Sequence, residues 1–200
     1  DGNDIVSPNA AAVTVLVKNC LITGNTAATA GGGISTNWHS DPNIVNCTIT
    51  DNNVTSGSYG GGMYCSYGSY ANIINSIFWN NKVLGPSASG FQIAVRPSST
   101  PAFVKVRYSD IKGGNIIVQG GFPSYKTGGD VWIDKLCGWD ANSSLDPNSN
   151  LYADPRFAAG PVDNYYLSQM AAGQGANSPC VDKGSVDANV LGLDSYTTRT

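Results

Sequence analysis

Glutamate is absent from this 200-residue chain, and all 14 acidic residues are aspartate. Glu favours helices, whereas Asp, Asn and Gly favour turns and left-handed backbone, so the composition argues against a helical protein. Charge is also scarce: 12% of residues are charged, with 11 Lys+Arg, and the net charge is −3. The cations are scattered, which argues against a nucleic-acid backbone or an anionic membrane surface as partner. No apolar run approaches the ~18 residues of a membrane-spanning helix, so membrane insertion is not expected. There is one histidine, His39, and no Cys-x-x-Cys pair, which leaves little for a zinc site. The start, DGNDIVSPNAAAVTV, lacks Met and a signal-peptide form, and reads as a processed chain or a fragment.

What is present is repetition. NCLITGN (19–25), NCTITDN (46–52) and NSIFWNN (75–81) recur at spacings of 27 and 29. KVRYSDIKGG is a fourth copy, with Val106, Ser109 and Ile111 in the places of Ile73, Ser76 and Phe78. A second phrase repeats between them, Gly31-Gly32-Gly33-Ile34 and Gly60-Gly61-Gly62-Met63. Within the first phrase apolar residues alternate (20 and 22, 47 and 49), which is strand geometry. Strands and turns at this period describe a parallel solenoid whose coils stack at the ordinary strand spacing. Asn19/Asn46/Asn75 and Asn25/Asn52/Asn81 are then ladders at the corners, where Asn tolerates left-handed backbone and bonds to the next coil. Cys20 and Cys47 are expected inside, stacked as free thiols; a bridge between them is possible but strained for stacked parallel neighbours. Cys137 and Cys180 are a possible disulfide. The coils are placed at 1–112. Residues 113–200 are expected to form a loop-rich C-terminal cap over the last open edge, with Trp132, Trp139, Tyr165 and Tyr166 in its core. No cover is visible for the first coil.

The phrases NCTITDNN and NSIFWNN, the step Tyr108-Ser109-Asp110-Ile111, then Ala153-Asp154-Pro155-Arg156-Phe157, Tyr165-Tyr166-Leu167-Ser168 and Ser178-Pro179-Cys180-Val181-Asp182 resemble a known family. It comprises bacterial secreted right-handed parallel β-helix repeat proteins, pectin-lyase-like, with a "choice-of-anchor Q" type of C-terminal region. The resemblance implies an all-β, right-handed parallel β-helix in a large exported surface protein, extracellular or on the bacterial cell surface. It attaches no single reaction.

Chemistry therefore has to be sought in the residues. Lyases of this fold need an acidic cluster and a basic residue, and hydrolases need several Asp close together. The column Gly24/Asp51/Asn80 supplies one acid, which Arg107 or Lys112 would have to assist; a solvated turn Asp is the simpler reading. His39, in STNWHSDPN, has nothing local that supports a nucleophilic set. Asp140, Asn142, Asp146, Asn148 and Asn150 place oxygen ligands at near-alternate positions, a spacing that suits Ca²⁺, although the EF-hand pattern fails. Asx turns are the competing account. Trp38, Tyr59, Tyr64, Tyr67 and Tyr70 fall in the loops and second strands of adjacent coils, with STNWHS (35–40) and YCSYGSY (64–70) at corresponding places, and could form a sugar-stacking strip or a protein contact. The expected function is a non-catalytic extracellular structural or adhesive module. Its partner would be itself, stacked end to end into a filament, or an extracellular polysaccharide. The alternatives are a carbohydrate-active enzyme and a carbohydrate-binding module.

Overall fold

The computed structural model describes residues 13–97, 99–114, 118–119, 122–123, 129–134, 136–140, 150–160, 163–181 and 183–185. Four parallel sheets run along one axis. The longest contains Val13–Lys18, Ser40–Val45, Tyr70–Ile74, Phe103–Arg107 and Gly138–Asp140. The second contains Leu21–Thr23, Thr48–Thr50, Ile77–Trp79 and Asp110–Ile111. A narrow third holds Thr26–Ala27, Asn53–Val54 and Lys82–Val83. The fourth holds Ile34–Thr36, Met63–Ser66, Ile93–Arg96 and Val131–Ile133. Successive strands of each sheet come from successive coils, which is the expected parallel solenoid. No helix among the described residues is long and apolar enough to cross a membrane.

Register turns the sequence alignment into columns. Val17, Ile44, Ile73 and Val106 stack in the first sheet. Ile22, Ile49, Phe78 and Ile111 stack in the second, so the fourth copy is a true coil. Ile34, Met63, Ile93 and Val131 stack in the fourth. Ile44, Ile73, Ile49, Phe78, Met63 and Ile93 are fully buried. Burying each such side chain contributes about 1.5–3 kcal/mol, and no coil can do so without its neighbours.

The corners are left-handed. One column is Asn19, Asn46, Asn75 and Tyr108, with φ of 57°, 53°, 51° and 50°. A second is Gly24, Asp51, Asn80 and Gly113, with φ of 69°, 54°, 55° and 65°. The left-handed residue of the second corner is thus the one before Asn25, Asn52 and Asn81, not those asparagines themselves.

Several expectations are corrected. The parallel sheets continue past residue 112 through Val131–Ile133 and Gly138–Asp140, because insertions separate the later strands without changing their register. Trp139 lies in the solenoid core, and Trp132 packs on the outer side against Tyr59, with ring centroids 4.9 Å apart. Leu151 adds a further bridge to Asp110. Beyond it the chain runs back along the flank of the stack. Tyr165 reaches Thr23 of the first described coil at 3.0 Å, and Ser185 bonds Asn75. This region therefore lines a side rather than only covering an end. Cys20 is exposed, since no described residue stacks on its outer side, while Cys47 is buried. All five cysteines are free. The Cys137–Cys180 bridge is not formed: Cys137 is a core residue, and Cys180 Sγ donates to Asp110 instead.

Candidate functional site

Side-chain ladders connect the described coils. In the first, Asn52 Oδ1 accepts from the backbone N–H of Asn25 at 3.1 Å and from its Nδ2 at 3.0 Å. Asn81 Oδ1 does the same for Asn52, at 3.0 Å and 3.0 Å. The amides also donate across coils, Asn52 to the Ile22 carbonyl and Asn81 to that of Ile49. Gln92 ends the column by accepting from Asn81 at 2.8 Å and donating to Asp130 at 3.1 Å. Asn52 and Asn81 are buried, so each bond replaces water that cannot reach them. The glycine phrase follows from this ladder. A Cβ on Gly62 would lie 2.8 Å from Asn81 Nδ2 and 2.5 Å from the Gln92 carbonyl.

The second ladder uses hydroxyls. The N–H of Cys47 donates to Ser76 Oγ, that of Ser76 to Ser109 Oγ and that of Ser109 to Asn150 Oδ1, each at 3.1 Å. Asn150, one of the five residues considered for calcium, is thus buried as the terminal rung, its amide donating to the Val106 carbonyl. That use places its oxygen on the Ser109 N–H. Asp140 ends the last strand of the long sheet, and Asn142, Asp146 and Asn148 lie outside the described residues. Among the described residues no group of three or more His, Cys or Asp could hold a metal ion. The third ladder is exposed: Asn46 Nδ2 donates to Asn19 Oδ1 at 3.3 Å. It stops there, since Asn75 turns to Ser185.

The five aromatic candidates fall into three groups. Trp38 and Tyr67 stack at 4.4 Å on a corner where both have left-handed backbone, φ 57° and 53°, with His39 beside them at 57°. Such φ values strain bulky residues and are retained where surrounding structure holds them. Trp38 is 68% exposed. Tyr70 stacks on Phe103, its register partner, at 5.0 Å and 5°. These ring faces are therefore turned along the solenoid axis onto one another. Tyr59 and Tyr64 form the third group with Trp132, and the Arg96 guanidinium lies 4.7 Å over the Tyr59 ring. Arg96, Phe103 and Trp132 were missed by sequence reading, because insertions between coils hide their register with the tyrosines.

Asp51 accepts from Thr50 Oγ1, and Arg107 donates to the Val106 carbonyl. Lys112 pairs with Asp130 at 3.8 Å and lies 6.0 Å from the centroid of Trp79. These two line a cleft of about 210 Å³ with Asn80, Lys82, Leu84 and Phe91. Asp110 is 2% exposed. It accepts from Cys180 Sγ at 3.0 Å and the Ala153 N–H at 3.2 Å. Burial, with a smaller contribution from Asp154, outweighs these bonds and pushes its carboxyl up to about 6. Burial likewise raises the Cys180 thiol, and Asp110 raises it further. The Ser-Asp, Ala-Asp-Pro and Ser-Pro-Cys phrases thus meet at one clasp that holds the returning chain to the fourth coil.

A family model described as right handed beta helix region matches residues 1–134. The chain belongs to that family, and the parallel stack is its right-handed β-helix. No curated protein and no solved structure matches the chain significantly.

Proposed function

We propose that the chain is a non-catalytic structural or adhesive β-helix module of an exported surface protein. The observation that carries this reading is the use of the buried polar side chains. Asn52, Asn81, Ser76, Ser109 and Asn150 bond one coil to the next, and Gln92, bonded to Asn81 within its own coil, reaches the next through Asp130. The best-buried carboxylate, Asp110, is spent on the clasp. Self-association end to end is supported by the first described coil. Its strands Val13–Lys18, Leu21–Thr23 and Ile34–Thr36 are terminal in their sheets. Val15 stands in register with Pro42 of the next coil yet is 48% exposed, an apolar rung with no described neighbour on its other side.

Carbohydrate binding is a second reading, favoured by the exposed Trp38 and by the Tyr59–Tyr64–Arg96–Trp132 cluster. Negative-stain electron microscopy of the purified chain separates the two. Uniform fibres support self-assembly. Dispersed particles that bind a glycan array through Trp38 or Arg96 support the binding module and refute the filament.

A further inference from the structure

We infer that Cys20 and Cys47 are a redox-sensitive pair whose disulfide staples the first described coil to the second. The two residues are adjacent rungs of one column. Asn19 bonds Asn46 just before them, and Leu21 pairs with Thr48 just after. The N–H of Thr48 donates to the Cys20 carbonyl at 2.9 Å. In-register neighbours of a parallel sheet sit about 4.8 Å apart, inside the roughly 4.4–6.8 Å Cα range of disulfides. Both sulfurs reach neighbouring carbonyls at the end of the strand Val13–Lys18. Cys20 Sγ donates to the Lys18 carbonyl at 3.2 Å, and Cys47 Sγ donates to those of Val17 and Val45 at 3.4 and 3.3 Å.

Serine fills this column in the next two coils, so the rung does not require sulfur for packing. The other three thiols are differently placed: Cys65 and Cys137 are core residues, and Cys180 is bonded to Asp110. Cys20 is the exposed member and the point of entry for an oxidant. Its thiolate attacks a small-molecule disulfide such as oxidised glutathione, forming a mixed disulfide and releasing one thiol. Cys47 then loses its proton and displaces the second thiol, closing the Cys20–Cys47 bond. The chain gives up two protons and two electrons, and the reagent disulfide is reduced to two thiols. Burial raises the Cys47 thiol and so lowers its thiolate fraction, which leaves Cys20 as the first thiol to react; proximity then drives the intramolecular step.

The test treats the native full chain with oxidised glutathione, alkylates remaining thiols and digests with chymotrypsin, which cuts after Trp38 between the two cysteines. Mass spectrometry is expected to find one cross-linked peptide pair joining Cys20 to Cys47. Two of the five thiols should be lost, and dithiothreitol should restore them. The Cys47→Ser variant, which reproduces the rung of the next two coils, should instead trap glutathione on Cys20. Persistent glutathione on Cys20 in the unmodified chain with Cys47 still alkylatable, pairing of Cys20 with another cysteine, or no loss of thiol would overturn the proposal.

Discussion

Replacing Asn81 by alanine removes the central rung of the buried amide ladder. Its Oδ1 accepts from the Asn52 N–H and Nδ2 at 3.0 Å each, and its Nδ2 donates to the Ile49 carbonyl at 2.9 Å. The Asn52 amide keeps its bonds to the Ile22 and Thr50 carbonyls, and Gln92 Oε1 keeps the N–H of residue 81. The Ile49 carbonyl keeps its place in the parallel ladder opposite Ile77–Trp79, so one backbone group, the N–H of the fully buried Asn52, is left without its partner. An unsatisfied buried group costs about 1–3 kcal/mol, so N81A is expected to lose at least that much. Against a total of about 5–15 kcal/mol this is a sizeable fraction of the stability. Asn43→Ala is the matched control. It removes the single 3.0 Å bond from Asn72 between two half-buried side chains, worth about 0.5–1.5 kcal/mol. Urea denaturation followed by circular dichroism reads both as midpoint shifts at constant slope. An N81A loss no larger than that of N43A would refute the claim that the buried ladder binds the coils.

Three other outcomes follow from the same geometry. Gly62→Ala forces a Cβ to within 2.5 Å of the Gln92 carbonyl and should cost roughly 1–3 kcal/mol or more, read in the same denaturation assay. Asp110 has its carboxyl raised from 3.8 to about 6, so the folded chain holds a proton that the unfolded chain releases. Stability should therefore fall as pH rises from about 3.8 to about 6 and level off above, and Asp110→Asn should flatten that slope. Trp38→Ala should change stability by less than about 1 kcal/mol because the side chain is 68% exposed, and any glycan affinity should fall with it.

Much of the stack was legible before any coordinates. Asparagine and alternating apolar residues at a nearly fixed period specify a coil, and the fourth copy at Val106–Ile111 was visible despite its longer spacing. The last coil was not, because Val131–Ile133 and Gly138–Asp140 are separated from their partners by long insertions and lack the asparagine signature. The glycine column was read at Gly31 and Gly60 but missed at Gly90 and Gly129, which share its positive φ, since Phe91 and Asp130 replace the following glycines. Asn150 illustrates the harder limit. In a run of Asp and Asn its oxygen suits a cation as well as a neighbouring N–H, and only three-dimensional register assigns it to Ser109. The clasp between Asp110 and Cys180 joins residues 70 apart, which no local pattern reveals.

The central claim is that the polar side chains of this β-helix serve stacking rather than bond cleavage. The most direct measurement incubates the purified chain with acidic and neutral polysaccharides, with and without Ca²⁺, and counts new chain ends. The account predicts none above the blank. New ends that disappear on replacing Asp51, Asp110, Asp130 or Lys112 would contradict it and identify a polysaccharide-cleaving enzyme.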